Sequence, residues 1–113
     1  MSRAIIRVVG TQPVVYARKT IDANYTIDPQ DNNFILLFDS SSDLTCNIPE
    51  NLTVPDGFQV IIFQQGTGKV TIIKDSAVTT LSANNEMDTR TRYSMVNIIK
   101  INTNTYIVGG DLA

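Results

Sequence analysis

The 113-residue sequence contains no histidine and no tryptophan. Without an imidazole, Ser-His-Asp and Cys-His nucleophilic systems are excluded, and so are most zinc sites. The tyrosines are dispersed, so no cluster of exposed rings is predicted for stacking on sugars or bases, and we expect them to pack in the core or on strand surfaces. They are Tyr16, Tyr25, Tyr93 and Tyr106. We therefore expect no catalytic residues and no enzyme.

Cys46 is the single cysteine, so neither an internal disulfide nor a thiol cluster for a metal can form. The alternation Leu44-Thr45-Cys46-Asn47-Ile48 places the thiol on the apolar face of a strand. Because reactive cysteines need an electropositive, exposed setting, we expect a packed and inert thiol.

Charge is also sparse, at 18% of residues with a net charge of −2. The nine basic residues are scattered, so the electrostatic footprint of a nucleic-acid-binding protein is missing. No apolar run is long enough to span a bilayer. The start, MSRAIIRVVGTQPVV, is interrupted by Arg7, Gly10 and Pro13, which argues against a signal peptide. We expect synthesis in a cytoplasm, with neither nucleic acid nor membrane as a partner.

Apolar residues recur with period two, which predicts many short strands separated by turns and no significant helix. The predicted strands are residues 3–9, 13–19, 24–27, 33–38, 44–48, 58–64, 69–73, 78–81, 93–101 and 105–108. This pattern favours a single all-β domain over residues 1–113, an antiparallel β-sandwich or jelly-roll-like fold of about 8–10 strands. The segment 82–91 is interpreted as a loop.

Two nearly continuous apolar runs, residues 58–63 and 96–101, are predicted to be buried on both faces. They would lie at the centre of the sheets, or one of their faces would meet a partner chain. Pro55 and Gly57 form a tight turn before the first run, because proline presets φ and glycine supplies a positive φ. Asn102-Thr103-Asn104 predicts a short hairpin.

The motif Gly66-Thr67-Gly68-Lys69 does not fit a phosphate-binding loop, because Lys69 is followed by Val70 and a strand rather than by Ser or Thr and a helix. Gly66 and Gly68 are therefore assigned to a hairpin turn. The run Asp39-Ser40-Ser41-Ser42-Asp43 offers oxygen ligands for a hard cation, or it is a polar hairpin loop. We favour the loop, interpret the other acidic residues as solvated turn residues, and predict no metal or cofactor.

The chain from residue 33 onward resembles a module of tailed-bacteriophage structural proteins found in tail fibres, tail spikes and small virion proteins. The matching motifs are turn residues at strand ends. They are Asp39-Ser40-Ser41, Ile48-Pro49, Pro55-Asp56-Gly57-Phe58, Gln65-Gly66-Thr67-Gly68 and Gly110-Asp111-Leu112. Residues 1–32 lie outside the resemblance. It implies a β-sandwich that often trimerises and has no catalytic residues.

The resemblance, together with a start at Met1 and no shaft repeats, leads us to expect a virion protein on the outer capsid. It would be a decoration (cement) protein that binds the major capsid protein as a homotrimer and stabilises the shell. Residues 1–19 would form an arm or edge strands for contacts between subunits or with the capsid. The expected interface residues are Arg3, Ile5, Arg7, Val9, Tyr16 and Arg18.

Three alternatives remain. Residues 1–19 could pair within their own domain. The protein could be a tail-fibre or receptor-binding accessory that recognises the host surface through residues 28–33 and 82–91. A glycan depolymerase would need a carboxylate pair in a cleft, for which so short a chain offers little room.

Overall fold

The computed structural model describes residues 16–113, and this part of the chain consists of short strands with almost no helix. The strands are β1 Ala17–Ile21, β2 Tyr25–Thr26, β3 Phe34–Phe38, β4 Leu44–Ile48, β5 Gln59–Gln64, β6 Val70–Lys74, β7 Thr79–Leu81, β8 Met95–Asn102 and β9 Thr105–Gly110. Two short 3₁₀ turns occupy Pro29–Asp31 and Ala83–Asn85. The all-β prediction is confirmed, while the predicted strand at 3–9 lies outside the described residues.

The strands form a six-stranded sheet in the order β1-β3-β5-β8-β9-β7 and a three-stranded sheet in the order β2-β4-β6. From β1 to β6 the chain alternates between the two sheets, and the strands it adds to each sheet are parallel. The first six strands therefore wind as successive coils, with one strand of each coil in each sheet. β8 then pairs antiparallel with β5 and with β9, and β7 joins β9 in parallel.

The predicted antiparallel arrangement is wrong for most strand pairs of residues 16–113, since only β5–β8 and β8–β9 run antiparallel there. A period-two pattern reports which face of a strand is buried and says nothing about the direction of its neighbour. The turns after β3 and β5 had the composition of hairpin turns, but they pass the chain to the other sheet. The hairpin predicted at residues 102–104 does form, with Asn104 at φ 51°.

One hydrophobic core takes alternate residues from the strands of both sheets. In β4 and β5 every second side chain is buried and the intervening ones are partly exposed. The largest fully buried side chains are those of Tyr106, Phe38, Phe58, Ile27, Leu36, Ile48, Ile62 and Ile98. Cys46 is fully buried in this core, as the alternation around it predicted.

The corners of successive coils stack on each other, and this stacking explains Gly66 and Gly68. The Gly68 amide donates to the Ser40 carbonyl at 2.8 Å, and the Lys69 amide donates to the Asp43 carboxylate at 2.9 Å. A Cβ at either glycine would collide with the backbone of the corner at residues 39–43. The two motifs that sequence reasoning assigned to separate hairpins are therefore one stacked pair of corners.

A buried hydrogen-bond network corrects the interpretation of Asp31 as a solvated turn residue. Its carboxylate is fully buried and accepts hydrogen bonds from Lys19 Nζ at 2.9 Å and from the Tyr25 hydroxyl at 2.7 Å. It also accepts from the Asp28 amide at 2.9 Å, which caps the first 3₁₀ turn. Hydrogen bonds to Tyr25 and Asp31 raise the pKa of Lys19 above its ordinary 10.5, which favours the charged ammonium.

Candidate functional site

The most unusual surface of the described chain is the outward side of the six-stranded sheet, where strand registers bring apolar side chains into rows. We call it the outer face, and define it by thirteen positions in the regularly paired parts of β3, β5, β8, β9 and β7 whose side chains point away from the core. They are Ile35, Leu37, Gln59, Ile61, Phe63, Thr79, Leu81, Met95, Asn97, Ile99, Thr105, Ile107 and Gly109.

Eight of these thirteen positions carry a large apolar side chain and none carries a charge. Exposure is highest for Met95 at 51%, Leu81 at 49% and Ile107 at 40%. An antiparallel or mixed sheet with one face in water normally places polar residues on that face. Contiguous exposed apolar patches are rare on monomers and mark interaction sites. The outer face therefore has the composition of a surface that contacts another molecule.

The outward side of the three-stranded sheet is mostly polar. Its outward positions carry Thr26 on β2, Thr45 and Asn47 on β4, and Thr71 and Ile73 on β6. Ile73, exposed by 41%, is the only large apolar side chain among them. The same chain thus keeps one sheet surface polar and the other apolar, so the apolar surface is not a general property of its composition.

The outer face also corrects the prediction that residues 58–63 and 96–101 are buried on both faces. β5 and β8 are central in the six-stranded sheet, but only alternate residues face the core. On the other side Ile61, Phe63 and Ile99 are half-buried and Met95 is exposed. The continuous apolar runs are explained by an apolar outer face that residues 16–113 leave accessible.

An aromatic pair lies beside the end of β5 at one end of the outer face. The Tyr93 ring stacks on Phe63 with centroids 6.0 Å apart and the planes 22° from parallel, while 60% of Tyr93 stays exposed. The Arg92 guanidinium lies 4.9 Å from the Tyr93 ring centroid, close enough for a cation–π contact. Tyr93 has φ 72°, a conformation that is costly for a bulky residue. Its amide donates to the Gln64 carbonyl at 2.7 Å, which holds the corner.

The expected interface residues fall into two groups. Arg3, Ile5, Arg7 and Val9 lie outside the described residues. Tyr16 is half-buried, and its hydroxyl accepts a hydrogen bond from Gln59 Nε2 at 2.9 Å.

Arg18 is exposed on β1, opposite Ile35, so it lies at the edge of the outer face. Residues 17–19 belong to the chain's own six-stranded sheet, in which β1 is the terminal strand among those described.

Sequence reasoning missed Leu81, Met95 and Ile107 as candidate interface residues. A usable signal was present for Met95 and Ile107, because each is a large apolar residue that alternates with buried ones and no outward position near it is charged. Only the register shows that they share one surface, since β7, β8 and β9 are brought together by pairing across the sheet.

The turn residues singled out from the sequence serve the fold. Gly57 has φ 91°, and the Phe58 amide donates to the Pro55 carbonyl at 3.2 Å across that turn. Asp43 and Ser40 use side-chain oxygens to accept amides within the stacked corners. Between residues 16 and 113 no pocket is found, and no group of three or more Asp, Glu or Cys side chains could hold a metal ion.

The Asp111 side chain connects the segment after β9 with the loop between β7 and β8. Its carboxylate accepts two hydrogen bonds from Arg90, at 2.7 and 3.0 Å, and one from Ser94 at 2.8 Å. The hydrogen bonds from Arg90 and Ser94 hold the pKa of Asp111 below its ordinary 3.8. This clamp ties the loop after β7 to the chain end, which also gives the Gly110-Asp111-Leu112 motif a structural role.

Comparison with protein-family models, with curated proteins and with solved structures found no match. Among residues 16–113, no helix has the length and apolar character needed to cross a membrane.

Proposed function

We propose that this chain is a structural protein of a tailed-bacteriophage virion, acts without catalysis, and decorates the outer capsid as an oligomer, by preference a homotrimer. The observation that carries the proposal is the uncharged outer face, which is suited to assembly. The resemblance of residues 33–113 to phage structural modules supports the virion setting. The motifs of that resemblance form corners and turns of the domain.

The proposed mechanism is the burial of pre-formed surfaces when copies assemble on the shell. A protein that binds only the assembled shell stabilises it by mass action, in proportion to the logarithm of its free concentration over the dissociation constant. A rigid β-domain suits this role, because little conformational entropy is lost when its surfaces are buried. The major capsid protein is the proposed partner in the shell.

The proposed contact with the capsid is made by the N-terminal arm. Because β1 is part of the six-stranded sheet, the arm of this proposal is confined to the residues before Tyr16. An arm that pairs with an exposed strand of a neighbour adds to its sheet through backbone hydrogen bonds. Removal of residues 1–12 should abolish capsid binding and leave the domain folded.

The test uses virus particles that lack this chain, produced by deleting its gene. Purified protein is added back, and both sedimentation with the particles and the temperature of genome release are measured. We expect the full chain to co-sediment and to raise the release temperature, and the variant without residues 1–12 to do neither. Failure of the full chain to bind would refute the decoration role.

The second candidate function is a tail-fibre or receptor-binding accessory. The structural observation in its favour is the exposed Tyr93 and Arg92 pair, which offers an aromatic ring and a cation to a ligand. Saturable binding of the isolated protein to host cells, lost in Tyr93→Ala, would favour this function.

A further inference from the structure

We infer that the outer face is the surface on which a second copy of this chain docks. This deepens the proposed function, on which it rests for its biological setting, by naming the surface that joins the copies. The inference uses three properties of the face: its area, its charge and its composition.

The area of the outer face approaches what a specific interface needs. The five strands of the outer face, about 4.8 Å apart and up to about five residues long at about 3.3 Å per residue, span a rectangle of roughly 24 × 17 Å, or about 400 Å² in projection. Two such faces bring together roughly 800 Å² in projection, somewhat below the roughly 1,000 Å² of accessible surface that a specific interface buries. Protruding side chains such as Phe63 and Met95 make the accessible area larger than the projected area.

The charge distribution favours an identical partner. From β3 to β7 no outward position is charged, so two copies can meet without bringing like charges together. Arg18, on β1, is the first charged outward side chain and lies at the rim of the face. A neutral centre with charge at the rim is the usual arrangement of protein interfaces. A strongly acidic or basic partner would find no counter-charge on this surface.

The composition points the same way, because interfaces between identical subunits are more apolar than transient ones. Large apolar residues occupy eight of the thirteen positions, and Gln59, Asn97 and three small residues occupy the others. Interface hot spots are enriched in well-packed aromatic residues. The Phe63–Tyr93 stack supplies such an anchor on each copy, already ordered before contact.

The test compares two lysine substitutions at isoleucines of equal exposure. Ile107→Lys changes the outer face, and Ile73→Lys makes the same change on the outward side of the other sheet, where exposure is 41% against 40%. Sedimentation velocity over a range of concentrations gives the mass and the dissociation constant of each protein. Circular dichroism and urea unfolding establish that both variants fold.

We expect the wild-type protein and Ile73→Lys to form a dimer or trimer. We expect Ile107→Lys to weaken association at least about 30-fold, the loss typical of an interface hot spot. Met95→Lys, at a second exposed position of the face, should behave like Ile107→Lys.

A wild-type chain that stays monomeric at all concentrations would overturn the inference, and so would an oligomer that both outer-face variants retain. The copy number of the chain in the particle does not depend on this result. A monomer that still decorates the shell would therefore refute the inference and leave the proposed function standing.

Discussion

Gly68→Ala is expected to lower the free energy of unfolding by about 2–4 kcal/mol. A Cβ at Gly68 would overlap the Ser42 carbonyl oxygen and lie 2.5 Å from the Ser42 carbonyl carbon and 2.9 Å from the Ser40 carbonyl oxygen. All three atoms belong to the backbone, so no side chain can move aside. The two stacked corners must separate, at a cost of about 1–3 kcal/mol for overpacking. Loss of the Gly68–Ser40 hydrogen bond costs about 1 kcal/mol more.

Two further glycines serve as matched controls. Gly109 has no atom within 4 Å of an added Cβ and no positive φ, so Gly109→Ala should change stability by less than about 0.5 kcal/mol. Gly57 also has open space but a φ of 91°, so Gly57→Ala should cost about 1 kcal/mol through backbone strain alone.

Urea unfolding, at one protein concentration for all variants, measures the series. If the corners stack as described, the loss in free energy of unfolding should be largest for Gly68→Ala, smaller for Gly57→Ala and smallest for Gly109→Ala. Equal stabilities of Gly68→Ala and Gly109→Ala would refute it.

Three further predictions concern the core, the aromatic corner and the buried ion pair. Burial raises the pKa of the Cys46 thiol above its ordinary 9.0, so above pH 9 the unfolded chain loses a proton that the folded chain keeps. Between neutral pH and pH 10 the free energy of unfolding should therefore fall by about 1.4 kcal/mol more in wild type than in Cys46→Ala. Urea unfolding at each pH measures both proteins, and an equal fall in the two would contradict this. Tyr93→Gly should be more stable than Tyr93→Ala by about 1 kcal/mol, because only glycine relieves the positive φ, and the reverse order would show an unstrained corner. Asp31→Ala should lower the free energy of unfolding by about 3 kcal/mol in thermal or urea unfolding, since it removes the buried partner of Lys19. The exposed Asp28→Ala should lower it by about 1 kcal/mol. Equal losses would mean that burial of the carboxylate contributes nothing.

The positions of the strands could be predicted from the sequence, but their pairing could not. The prediction for residues 44–48 matches β4, and most other predicted strands overlap an observed one, because alternation of apolar residues is a local signal. Pairing depends on where each turn directs the chain. Gly66 and Gly68 have the composition of a hairpin turn, and only their stacking on residues 39–43 shows a corner between sheets.

The candidate site was partly visible in the sequence. The apolar run at residues 58–63 raised the possibility of a face that meets a partner chain, and two of the three outward positions of β5, Ile61 and Phe63, are apolar. Asp31 could not be distinguished from the exposed Asp28, because both lie in the same polar turn of the sequence. The Asp31 carboxylate is buried because the fold places Lys19 and Tyr25 against it. The outer face depends on registers between strands that are distant in sequence, which no local pattern encodes.

The proposed virion role is tested most directly by counting the copies of this chain in purified virus particles relative to the major capsid protein, by quantitative mass spectrometry. Decoration of the outer capsid predicts a copy number commensurate with that of the major capsid protein. A copy number equal to that of the tail proteins would contradict it and move the function to the tail, with Tyr93 and Arg92 as the first residues to substitute. Absence of the chain from particles would contradict both virion roles.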